Sequence, residues 1–183
     1  IERHEHELFP LMKKRFLFAH VNNFWFFDFI DEHGYINEDV FAYTNMAYGE
    51  KALVFYNNKF NSTSGKIYTS TPKLVGSGNN KYLKSVTIFE ALDIKTSENY
   101  FYVFKEHISN LYFVKEGKEF FNNGFEITLH AFKYKVFLDF KEVYDTTGLY
   151  KELAKRYSYN GVNNLEDAIA ELKLAPIHNA LTN

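Results

Sequence analysis

Cysteine is absent from the 183 residues, which removes disulfides, thiolate metal sites and cysteine nucleophiles together and fits a reducing, cytoplasmic compartment. A charge excess of either sign is also missing. Lys and Arg number 21 against 23 Asp and Glu, and the longest basic run is Lys13-Lys14-Arg15. Without a basic surface in excess, nucleic acid is not an expected partner. No run approaches the roughly 20 apolar residues of a membrane helix, because Asp28, Asp31 and Glu32 interrupt the most apolar segment. A membrane is therefore not an expected partner either. An initiator Met and a signal-peptide pattern are lacking as well: the chain opens on Ile1 and runs at once into the charged residues Glu2 to Glu7. That opening reads as a piece of a longer polypeptide.

What is abundant is aromatic. Phe occurs 20 times and Tyr 14 times, against 3 Pro and 1 Trp, and aromatic residues beside β-branched ones favour half-buried pleated strands. Strands are expected over 24–30, 39–44, 51–57, 66–70, 84–92, 99–106, 110–115, 124–130 and 134–143, separated by Gly, Asn, Ser or charged residues. Such spacing predicts an antiparallel β-sandwich. In Phe125-Glu126-Ile127-Thr128-Leu129-His130 the apolar side chains share one face, as a one-sided strand requires. By contrast, residues 24–30 are apolar on both faces, which predicts a strand covered from two sides.

Helices are expected at both ends. Leu8, Leu11, Met12 and Phe16 have helical spacing, with Pro10 opening a new turn. Near the end, Leu149, Leu153, Ala154 and Tyr157 form one stripe that stops at Asn160-Gly161. Leu165, Ala168, Ile169 and Leu172 form a second, with Asn163 and Glu166 as its capping pair. The fold class is thus mainly β: a sandwich over 21–145, a short helical segment over 1–20, and a helical extension over 146–183 packed on the sandwich. Gly76 to Lys81 is expected to be the most flexible loop.

Chemistry-bearing patterns are few. His4 and His6 with Glu5 and Glu7 alternate at a spacing that does not bring two imidazoles onto one helix face, so they read as a solvated helix end. Asp28, Asp39, Asp93 and Asp139 stand in or beside strands with nothing to select a catalytic pair. Asp28 and Asp139, each flanked by apolar neighbours, read as hydrogen-bonded structural carboxylates. Gly76-Ser77-Gly78 is neither a nucleophile elbow nor a phosphate cradle, and no cofactor is expected. Trp25, between two phenylalanines, reads as a packing residue, whereas Tyr48, Tyr68 and Tyr82 are weak candidates for a glycan contact.

Four stretches carry a family likeness: Phe9-Pro-Leu-Met-Lys-Lys-Arg-Phe-Leu-Phe-Ala19, Phe26-Phe-Asp-Phe29, Gly34-Tyr-Ile-Asn-Glu-Asp-Val-Phe-Ala-Tyr43 and Lys51-Ala-Leu-Val-Phe-Tyr-Asn-Asn58. Together they resemble the passage from the last barrel helix into domain C of α-amylase-superfamily glycoside hydrolases. The likeness is nearest to little-characterised bacterial members. It extends through Gly124 to Phe140, Leu165 to Leu172, and Pro176-Ile-His178. The resemblance implies that 1–20 ends a preceding catalytic (β/α)8 barrel, which acts on α-glucosidic bonds and is this domain's own upstream partner. None of the motifs holding that barrel's catalytic carboxylates is present, so no catalytic residue transfers. Phe24, Trp25, Phe26 and Phe27 are where the barrel is expected to dock. The helical tail from Thr147 onward departs from the commonest all-β domain C. Besides this non-catalytic accessory role, two alternatives stand: a carbohydrate-binding module for α-glucan, and an independent protein-interaction domain.

Overall fold

The computed structural model describes residues 4–181. A π-helical turn over His4–Leu8 leads into α1 (Phe9–Lys13) and α2 (Arg15–Ala19), with Pro10 in the first turn of α1 where a missing N–H costs nothing. The strands β1 (Trp25–Phe27), β2 (Ile30–Asp31), β3 (Val40–Ala47), β4 (Glu50–Asn57), β5 (Thr63–Ile67), β6 (Lys73–Val75) and β7 (Tyr82–Lys84) follow. After the short helix α3 (Ile88–Ala91) come β8 (Tyr100–Glu106), β9 (Tyr112–Glu116), α4 (Gly117–Asn123), β10 (Phe125–Leu129) and β11 (Tyr134–Tyr144). Helices α5 (Leu149–Tyr157) and α6 (Leu165–Leu181) close the chain. None of the helices among the described residues is long and apolar enough to cross a membrane.

Every strand pairing is antiparallel. The large sheet has the order β1-β3-β4-β11-β8-β9, the small sheet β10-β5-β2, and β6 with β7 makes a separate hairpin. The two larger sheets form a sandwich. Phe125 of the small sheet lies 5.7, 6.0 and 5.2 Å, centroid to centroid, from Phe55, Phe104 and Phe137 of the large one. One pair is stacked and the other two are tilted, departures from a face-to-face sandwich of the kind the ring quadrupoles favour. Ile88 of α3, Leu92 at its C-cap and Phe120 of α4 enter the same core.

The large sheet's outer face is covered in two places. Leu17 of α2, with Leu11, Phe16 and Phe18, packs on Ala52, Val54, Val136 and Leu138. Leu153, Ala154 and Ala168 of the C-terminal pair pack on Phe101, Val103 and Val114. The predicted helical extension therefore lies on the sandwich as a third layer, and a bridge between Tyr112 and Val162 fixes its connecting loop to β9.

Several local expectations are corrected. Residues 24–30 are not one strand: β1 belongs to the large sheet and β2 to the small one, and the chain crosses between them at Asp28-Phe29. Its unbroken apolarity reflects two sheets. Phe29 is fully buried against Gly65, where an added Cβ would meet its ring at 2.6 Å. Residues 84–92 divide into β7 and α3, whose start is set by Thr87 accepting from the Glu90 N–H; Thr-x-x-Glu is the capping pattern behind that turn. The Gly76 to Lys81 stretch, expected as a loop, is one, and forms the turn of the β6–β7 hairpin. Helix α4 was not anticipated. The cap of α6 is Asn164 rather than Asn163, because the Asn164 carboxamide oxygen accepts from the Asp167 N–H at 3.1 Å.

β11 contains a bulge between Leu138 and Lys141, with Asp139 at φ 56°. The extra residue reverses the alternation, so that both Phe137 and Phe140 reach Phe104 in the core. Asp139 itself is exposed and ion-paired to Lys14, which also holds Glu50 at 2.9 Å. It is thus hydrogen-bonded as expected, as an exposed tie to the N-terminal helical segment. Asp28 is half-buried.

Beyond the bulge, the fully buried Tyr102 donates its hydroxyl to Glu142 at 2.8 Å and accepts from the Lys95 N–H at 2.8 Å. Burial pushes this phenol well above the ordinary value of 10.0, while hydrogen bonds from Lys95 and Tyr102 hold Glu142 below the usual carboxylate range. A raised phenol pKa means that the folded state keeps a proton the unfolded chain releases. Stability is therefore expected to fall as pH rises above about 10, the ordinary tyrosine value. Urea midpoints from pH 7 to 11 check this, with Tyr102→Phe showing the shallower decline.

Candidate functional site

The outer face of the large sheet is uncovered at its β1–β3 end, and the residues there are aromatic. Alternation along Val40-Phe41-Ala42-Tyr43 turns Val40 and Ala42 inward and Phe41 and Tyr43 outward. Register then builds a strip: Phe26 lies opposite Tyr43, and Phe41 opposite Tyr56. The rings touch as cross-strand pairs do. Phe24 is 4.8 Å from Phe26 and 5.1 Å from Tyr43, and Phe41 is stacked on Tyr56 at 6.5 Å. Phe26 is 47% exposed and Phe41 48%. Burial also pushes the Tyr43 phenol up. Tyr43 joins the cluster beneath α2 as well, so the strip runs directly into the surface that the N-terminal helices occupy.

This places the four residues predicted to dock. Phe24 and Phe26 face outward, but Trp25 and Phe27 turn into the chain's own core, because successive side chains of a strand point to opposite faces. Trp25 also carries the Lys73 ammonium 4.0 Å from its ring centroid, and that ammonium is held by the Val21, Asn22 and Phe24 carbonyls. Phe41 and Tyr56 were missed. Their signal was legible in principle, as aromatic residues alternating with small or buried ones in two consecutive strands.

The three tyrosines nominated for glycan contact stand on separate elements. Tyr48, 83% exposed at φ 52°, forms the β3–β4 turn beside Phe16 and His20. Tyr68 is half-buried, with its hydroxyl donated to the Phe121 carbonyl at 2.8 Å. Tyr82 is exposed on β7. They do not form one platform. At the N-terminus, Glu5 and His6 are exposed, as a solvated helix end requires. Glu7 instead turns in to accept from the Tyr134 hydroxyl, and its carbonyl accepts from His107 Nε2 at 2.7 Å. No group of three or more metal-ligating side chains is found among the described residues.

A second feature had no sequence signal. A cleft of about 770 Å³ opens where β10, at the edge of the small sheet, meets β9, β11 and the loop after α5. Its apolar lining comes from the half-buried Ile30 and Ile127, backed by the buried Phe113, Phe125 and Phe137 of the core. At its rim the Tyr159 hydroxyl lies 2.9 Å from Glu119 and 2.8 Å from Glu126. The nearly buried Lys115 ammonium reaches Glu119 at 3.0 Å and sits over the Tyr159 ring. Tyr159 is distant in sequence from the Lys115, Glu119 and Glu126 that it meets here.

Comparison with known protein families, curated proteins and solved structures finds no match.

Proposed function

We propose that this chain is the non-catalytic β-sandwich domain that follows the catalytic barrel of an α-amylase-like glycoside hydrolase, and that the Phe24, Phe26, Phe41, Tyr43 and Tyr56 strip is its docking face for that barrel. The observation that carries the reading is the strip itself. It sets the Phe24, Phe26 and Tyr43 ring cluster and the stacked Phe41–Tyr56 pair on one outward face, which continues the face covered by the N-terminal helices, the side from which a preceding barrel would arrive. The likeness of residues 9–19, 26–29, 34–43 and 51–58 to the junction between barrel and domain C supports the identity of the occupant.

Burying a phenylalanine contributes about 1.5–3 kcal/mol, so Phe26 and Phe41 together stabilise a docked parent by several kcal/mol at most, since each is already half covered. Substituting both by serine is expected to change this chain's own stability by only about 1 kcal/mol while lowering the melting temperature of the barrel-containing polypeptide by several degrees. Calorimetry on the two forms tests this. Equal shifts in both would argue that the strip is merely part of this domain's own packing.

A further inference from the structure

We infer that the cleft along β10 is a binding site for a neutral, hydroxyl-rich ligand of the class of short oligosaccharides. Its volume, about 770 Å³, lies within the range of about 300–1,000 Å³ usual for small-molecule sites. The lining charges balance: Asp31, Glu32 and Glu126 are matched by Lys66, Lys115 and Lys135. A strongly anionic or cationic ligand therefore gains no net field from the cleft. What remains is a surface of hydrogen-bonding side chains beside the half-buried Ile30 and Ile127 and the exposed Tyr159 ring, the combination that a pyranose, with polar edges and an apolar face, can satisfy.

The hydrogen-bond count at the rim points the same way. Tyr159 carries one hydroxyl hydrogen but faces two carboxylates at hydrogen-bond distance. It can serve only one of them as donor. Glu119 also receives the Lys115 ammonium, whereas Glu126 is exposed on the cleft wall. The Glu126 carboxylate thus retains acceptor capacity for a ligand hydroxyl. Ser64 and Thr128, hydrogen-bonded to each other at 2.7 Å on adjacent strands, supply further hydroxyls beside it. The fixed geometry of Lys115, Glu119 and Tyr159 means that little side-chain ordering accompanies binding.

Only the choice of α-linked glucose as first probe rests on the proposed function. The test is titration of the whole chain with maltoheptaose and with cellohexaose, followed by calorimetry or amide chemical shifts. Saturable binding of either sugar is expected, weakened about tenfold, or about 1.4 kcal/mol, by Thr128→Arg, which fills the cleft from an exposed position. Ser64→Arg serves the same purpose if the first variant melts early. Phe26→Ser is expected to leave binding unchanged, which separates the cleft from the docking strip. Binding of cellohexaose alone would support the cleft while counting against the amylase-like parent. No saturation up to about 20 mM, binding indifferent to both arginine variants, or a preference for inorganic phosphate or an extended peptide would overturn the assignment.

Discussion

Replacing Phe104 by alanine is expected to destabilise the fold by about 3–5 kcal/mol, a large share of the roughly 5–15 kcal/mol that holds a domain of this kind together. Phe104 is fully buried. Its ring stacks on Phe113 at 5.8 Å and Phe140 at 4.8 Å, and meets Phe125 and Phe137 at 6.0 and 5.6 Å. Those four neighbours come from β9, β11 and the opposite sheet, so truncation opens a cavity where the two layers meet. Four surrounding rings cannot collapse into it without leaving their own contacts. Equilibrium urea denaturation reads the effect as a lowered midpoint. Phe104→Leu, which retains most of the volume, should recover more than half of the loss.

Glu106→Ala is expected to cost about 2–4 kcal/mol, through backbone donors rather than lost volume. Glu106 is only 2% exposed although it is a carboxylate. It accepts from the N–H groups of Ile108 at 3.1 Å, Ser109 at 2.6 Å and Val136 at 3.2 Å. The first two lie in the β8–β9 turn and the third in β11, so one side chain closes the turn and fastens it to the neighbouring strand. Removal leaves these donors without that acceptor; the Val136 N–H is buried, and a buried donor without an acceptor costs more than an average hydrogen bond contributes. Glu106→Gln should fall between wild type and alanine, because its amide keeps one acceptor oxygen but cannot satisfy both sets of donors. Urea midpoints of the three proteins, measured together, give the order.

Much of the fold was legible where local pattern decides it. Phe125 to Leu129 alternates and forms a strand; Leu149 to Tyr157 repeats at helical spacing and forms a helix. The failures share one cause, namely that the deciding contact is distant in sequence. Nothing between Phe24 and Ile30 says that the chain changes sheets at Asp28, because both halves are apolar for different partners. Likewise the bulge at Asp139 is defined by pairing with β8, and only that pairing lets Phe137 and Phe140 share a face. The aromatic strip was half legible: Phe24 and Phe26 were singled out, but without a register Trp25 and Phe27 could not be separated from them. The cleft was not legible at all. Lys115, Glu126 and Tyr159 meet only because β9, β10 and the loop after α5 converge.

The central proposal, that the aromatic strip on β1, β3 and β4 is covered by a barrel of the same polypeptide, is tested most directly by amide hydrogen exchange on β1 and β3. The comparison is between this chain alone and the polypeptide extended upstream from its coding frame. Slower exchange of Phe24 to Phe27 and Phe41 to Tyr43 in the extended form, reversed by Phe26→Ser with Phe41→Ser, is the expected result. Identical exchange in both forms, or a frame that encodes no barrel before Ile1, would contradict it.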